Sequence, residues 1–242
     1  MIFALVWLVA AVIGGGIASV AGFGIGSILT PTLAVKLGTK LAVAAVSIPH
    51  LAGTVLRFAL IRQHINNRVL RSFGITSAAG GLAGALLHTR FSSVVLSYIL
   101  GALLVFAGLS GITGFASRMR FGSRTAWLAG AASGMFGGLV GNQGGIRSAA
   151  LLRFDIDREC FVATATAIAL MVDFARMPVY FITLANPLFQ AGKYLVLGTA
   201  GVIVGTIAGQ RVLTKIPENV FRRVVAAIIL GLGIAMLSRP TL

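Results

Sequence analysis

Two groups of polar residues interrupt long apolar stretches of this chain, and both carry side chains able to bind anions or move protons. His50, Thr54 and Arg57 fall at i, i+4 and i+7, so they share one helical face. Thr166, Asp173 and Arg176 do the same at i, i+7 and i+10. A guanidinium holds an oxyanion through two parallel hydrogen bonds, which suits Arg57 and Arg176 to substrate binding. Other roles stay open at this stage. Asp173 and Arg176 can form a purely structural ion pair, and Arg57 can reach the membrane interface from its helix end. Arg147 is a third cation, either pointing into a site or reaching a lipid head group. His50 titrates in the physiological range and is a candidate carrier of a coupling proton, with Asp173 as the alternative. His64 and His88 read as loop residues without a role.

The glycine pattern is the second chemical signal. Gly22–Leu33 reads "GFGIGSILTPTL" and Gly141–Leu152 reads "GNQGGIRSAALL". Non-helical backbone at membrane depth is tolerated only inside protein or along a cavity, so such breaks mark sites. The helix that follows a break offers free N–H groups and a positive dipole end to an anion. Gly22, Gly24, Gly26, Gly141, Gly144 and Gly145 are therefore assigned to the site. Ser27, Asn142 and Gln143 add hydrogen-bonding groups, and Phe23 shapes or gates the pocket. Gly80, Gly81, Gly84, Gly201, Gly205 and Gly209 are read instead as close-packing positions.

These residues need elements that hold them within a bilayer. The chain is 57% hydrophobic and 10% charged, against about 25% charged in a soluble domain, so it is read as an integral membrane protein. Apolar runs of spanning length recur without strand alternation, which predicts an all-α polytopic fold. Six full spans are expected at 41–61, 72–88, 92–116, 160–185, 192–213 and 219–238. Segments 25–36 and 144–152 are too short to cross, and each follows a glycine break. Sliding the chain along itself by about 119 residues superposes the two breaks and also Arg57 on Arg176. The chain then divides into two inverted repeats, 1–122 and 123–242. Each has a glycine-broken re-entrant hairpin followed by three spans.

The net charge of +15 is assigned to loops by the positive-inside rule, not to nucleic-acid binding. Arg62, Arg68, Arg71, Arg118, Arg120, Arg124, Arg153, Arg158, Arg211, Lys215, Arg222 and Arg223 fall on the expected cytoplasmic side. Lys36, Lys40, Arg90, Lys193 and Arg239 fall outside, as do both termini. The single cysteine, Cys160, excludes an internal disulfide. No triad, phosphate loop or metal-ligand spacing occurs, so no enzyme, cofactor or metal is expected.

The paired glycine elements, the length and the number of segments resemble the sulfite exporter TauE/SafE family, also called the toluene sulfonate uptake permease family. The resemblance covers nearly the whole chain. It implies movement of sulfite, sulfonates or related sulfur-containing anions, driven by ion gradients without ATP. The second element departs from the pattern: it has Gln143 and Arg147 and lacks the proline that Pro31 supplies in the first. The expectation is a secondary transporter in the bacterial inner (plasma) membrane, surrounded by lipid, with a proton or sodium as coupling ion. A passive anion channel and a structural subunit are the competing readings. The sequence assigns neither the anion, nor the direction, nor the oligomeric state.

Overall fold

The computed structural model describes residues 1–115, 123–151, 154, 156–212 and 215–240. Arg118, Arg120 and Arg153, the side chain of Arg124 and the boundary drawn after residue 122 lie outside the described residues. Ten helices among them carry the architecture: α1 (Ile2–Ala21), α2 (Ile25–Leu37), α3 (Thr39–Ile61), α4 (Ile75–His88), α5 (Ser93–Thr113), α6 (Ser123–Val140), α7 (Gly144–Leu151), α8 (Arg158–Gln190), α9 (Gly192–Val212) and α10 (Glu218–Ser238). A single turn, Asn67–Val69, and a π-helical turn, Leu70–Gly74, lead into α4 and lengthen it. No strand occurs among the described residues.

Seven stretches are long and apolar enough to cross a membrane. Six correspond to the expected spans. The seventh is α1, whose 20 residues rise about 30 Å, so the first arm of the first hairpin is as long as a full crossing. Ile2, Leu5, Val6, Val9 and Ile13 form an exposed apolar stripe on α1, the face a bilayer would cover. Its opposite face, from Trp7 through Ala11 to Ala18, is buried in the main core.

Helix pairing follows from small residues. Gly201, Gly205 and Gly209 on α9 lie against Leu8, Ala11, Val12 and Gly16 on α1, so closely that a Cβ at Gly205 would strike the Val12 carbonyl. Gly80 and Gly84 on α4 lie in the same way against the carbonyls of Ala131 and Met135 on α6. Removing the side chain lets backbones approach where lipid supplies no hydrophobic drive between helices. At Trp7 the indole N–H donates to the Tyr194 carbonyl at 2.8 Å and fixes the start of α1 beside the start of α9.

Several of the contacts of the first five helices are mirrored by the second five, although α2 packs far more extensively on α3 than α7 does on α8. Helix α1 pairs with α9 as α6 pairs with α4. Helix α3 packs on α9 as α8 packs on α4. Helices α3 and α8 pack on each other, and so do α5 and α10. The long α8 contains Pro178 and Pro187 and is kinked at Leu184, whose φ of −132° is not helical.

Candidate functional site

Both glycine motifs break their helices. Helix α1 ends at Gly22, whose φ of 75° is left-handed and whose N–H donates to the Ala18 carbonyl at 3.0 Å. Helix α6 ends in the same way at Gly141, with φ 71° and a 3.1 Å bond to the Gly137 carbonyl. This is the glycine C-cap, in a conformation that costs a residue with a Cβ about 1–2 kcal/mol. Three residues on, α2 and α7 begin. The first in-helix bonds are Ile28 N–H to the Gly24 carbonyl at 3.1 Å and Arg147 N–H to the Gln143 carbonyl at 3.0 Å. The N–H groups before them have no partner one turn back. Pro31 neither stops nor ends α2, which runs on to Leu37.

The two breaks meet. A Cβ on Gly26 would collide with the Gly141 carbonyl, and one on Gly144 would lie 2.6 Å from the Phe23 Cβ. Arg147, on α7, donates from Nη2 to the Gly22 carbonyl at 2.9 Å, so the second half-helix grips the end of α1. Gly22, Gly24, Ser27, Gly141, Asn142, Gln143 and Gly144 are buried, while Phe23 and Gly145 are half-buried. Ser133 on α6 donates to the Gln143 carbonyl at 3.2 Å and holds the second break in place.

A polar chain runs through α3 and α8 beside this junction. The Arg57 Nη2 donates to Thr54 Oγ1 at 3.3 Å, and Thr54 donates in turn to the His50 carbonyl at 2.7 Å. His50 Nδ1 lies 2.7 Å from Asp173 Oδ2. Asp173 Oδ1 accepts from Arg176 Nε at 3.0 Å and Nη2 at 2.8 Å. Arg176 Nη1 then donates to the Gly137 carbonyl at 2.7 Å, in the last turn of α6. Tyr180 adds a bond from its hydroxyl to the Gly138 carbonyl. Asp173 and Arg176 are therefore paired locally, as their spacing predicts. The His50–Asp173 contact joins residues 123 positions apart, which no local pattern reveals.

The three arginines differ in how they are used. Arg176 spends all three nitrogens on protein acceptors. Arg57 and Arg147 do not. At 3% and 2% exposure, each keeps Nε and Nη1 without a hydrogen-bond partner. Asn142 Nδ2, Gln143 Oε1, Thr30 Oγ1, Ser148 Oγ and Thr166 Oγ1 are likewise buried and unpartnered. Leaving a buried donor unsatisfied costs about 1–3 kcal/mol, more for a charged group. Asn142, Gln143, Arg147 and Ser148 lie in or just after the second break, and an oxyanion is the kind of group that accepts from several donors at once. Among the described residues no group of His, Cys, Asp or Glu could hold a metal ion.

A cavity of about 330 Å³ adjoins the junction. Phe23, Gly145 and Ser148 border it on the side of the breaks, and Phe221, Arg222 and Arg158 border it elsewhere. Sequence reasoning missed Ser148 and Thr30, for which a hydroxyl inside a short apolar helix was the available signal. It also missed His88. That residue is not in a loop but ends α4, fully buried. Its Nδ1 lies 2.8 Å from the Leu139 carbonyl and its Nε2 3.1 Å from the Lys40 carbonyl. His64 is in the turn after α3, partly exposed, 3.6 Å from Glu159.

The family model described as "Sulfite exporter TauE/SafE" matches residues 7–236, including both breaks and every residue of the polar chain. The chain belongs to the sulfite exporter TauE/SafE family. It is thus an integral membrane transporter and not an enzyme, of a family that moves sulfite- and sulfonate-type anions. The bacterial inner membrane is the usual site for the TauE/SafE family. No curated protein and no solved structure matches the chain significantly.

Proposed function

We propose that this TauE/SafE protein is a secondary transporter that binds a small sulfur oxyanion where its two helix breaks meet. One observation carries the reading: Arg57 and Arg147 are buried beside the breaks with Nε and Nη1 of each unpartnered. Asn142, Gln143, Ser27 and the N–H groups of Gly26, Gly144 and Gly145 complete the binding surface. Gly22, Gly24 and Gly141 give it its shape, and Phe23 stands between it and the adjoining cavity. Arg176 acts by position, holding Asp173 and the end of α6.

The coupling ion in this reading is a proton carried on the His50–Asp173 pair. A negative charge bound at Arg57 and a proton on His50 favour each other, because Arg57 otherwise repels the imidazolium. Two inverted repeats, 1–122 and 123–242, rocking against each other give alternating access. The mirrored helix pairing supports this division.

The test is a thermal-shift screen of purified protein against sulfite, sulfate, thiosulfate, taurine and sulfoacetate. At least one sulfur anion is expected to raise the melting temperature of the wild type and not of Arg147→Ala. Stabilisation by an unrelated solute with no response to any sulfur anion would defeat the assignment. Saturable counterflow in proteoliposomes is expected of a transporter, whereas uncoupled conductance would make the protein a channel.

A further inference from the structure

Three guanidinium groups and one carboxylate occupy the interior beside the helix breaks. Asp173 is the only buried acid among the described residues. Its two oxygens are engaged by Arg176 and His50, so its charge is matched to Arg176. Asp157 caps α8 through a 2.7 Å bond to the Cys160 N–H, and the Glu159 side chain is 75% exposed. Neither offsets a buried charge. Among the described side chains, Arg57 and Arg147 are left as two buried positive charges without a carboxylate of their own, and they repel each other. Arginine does not shed its proton in proteins, so the excess cannot be removed by titration. A protonated His50 would only add to it.

From this balance we infer that the site is built for a doubly charged oxyanion and discriminates against singly charged anions of the same size. The inference rests on the anion-binding reading given above and refines it. A monoanion would satisfy the hydrogen-bond donors but leave one buried guanidinium charge uncompensated. A dianion neutralises both, and the low-dielectric surroundings magnify the difference. Geometry points the same way. Arg57 and Arg147 each keep two unpartnered nitrogens, Nε and Nη1, on different sides of the guanidinium, and these separate donors suit an anion with several oxygens sharing two charges.

Sulfate and methanesulfonate test this directly, because they are nearly the same size and differ by one charge. Sulfite at mildly alkaline pH, where it is doubly charged, and thiosulfate extend the dianion set. Dissociation constants are measured by calorimetry on purified wild-type protein at fixed ionic strength. The tightest dianion is expected to bind at least about tenfold more tightly than methanesulfonate, equivalent to about 1.4 kcal/mol. In Arg57→Gln and in Arg147→Gln the ratio is expected to fall toward unity, and Arg57→Lys is expected to restore most of it. Equal wild-type affinity for methanesulfonate and the best dianion would overturn the charge inference and leave the anion site standing. Binding of none of these anions would overturn both. The decisive ratio comes from the wild type, so poor folding of a variant does not blunt the test.

Discussion

Asp173→Asn isolates the charge of the one buried acid while keeping its shape. In the wild type this carboxylate accepts from Arg176 Nε at 3.0 Å and Nη2 at 2.8 Å, and it meets His50 Nδ1 at 2.7 Å. The residue is 0% exposed and Arg176 is 2% exposed, so water cannot screen what is lost. Breaking a buried pair by removing one partner costs about 3–5 kcal/mol, because the other charge stays behind uncompensated. Here the effect belongs at the upper end, since Arg176 is buried and Asp173 is the one carboxylate paired with it. Denaturation of the detergent-solubilised protein should show this loss. The double variant Asp173→Asn/Arg176→Gln removes both charges and should recover much of it, giving a large coupling energy in the double-mutant cycle. Transport should stay abolished in both variants, because Asp173, the partner of His50, is altered in each. If Asp173→Asn alone is as stable as the wild type, the pair is not the anchor described here and the charge balance around it must be redrawn.

Other perturbations address separate parts of the site. Gly26→Ala places a Cβ on the Gly141 carbonyl, so the breaks must separate; anion-induced stabilisation should be lost while the protein still inserts and can be purified. Gly141→Ala has room, with Thr30 Oγ1 3.5 Å away, but forces a Cβ into left-handed backbone. It should destabilise by about 1–2 kcal/mol in a denaturant titration. His50→Gln should leave anion binding measurable yet remove the dependence of transport on a proton gradient, read as uptake with and without an imposed pH step. His88→Ala removes the ring that contacts the Leu139 and Lys40 carbonyls and should cost about 1–3 kcal/mol, with no change in anion selectivity.

The sequence was most informative where one chemical signal was local. Both breaks were legible because glycine at Gly22 and Gly141 is the residue that ends a helix in left-handed backbone, and the short segments after them have the lengths expected. The Asp173–Arg176 pair was legible because i, i+3 neighbours meet on any helix. The close-packing glycines of α4 and α9 were legible from their spacing. Contacts set by tertiary packing were not. Nothing near His50 in the sequence indicates that Asp173 faces it, and nothing near Arg147 indicates that it grips the Gly22 carbonyl. The division of labour among the arginines was equally hidden. Arg57 and Arg176 occupy matching positions in the two halves, yet only Arg176 is saturated, because Asp173 stands where the first half has Thr54. Helix α1 reaches the length of a full span, which its reading as one arm of a re-entrant hairpin did not anticipate.

The central claim is that an anion is held between Arg57 and Arg147 at the meeting point of the two breaks. A structure of the protein with selenite, located by the anomalous scattering of selenium, tests this most directly. The account predicts a single strong selenium peak between Arg57 and Arg147, with selenite oxygens accepting from at least one of the free nitrogens, Nε or Nη1, of each arginine. A peak elsewhere in the bundle, with those four nitrogens still unpartnered, would contradict it.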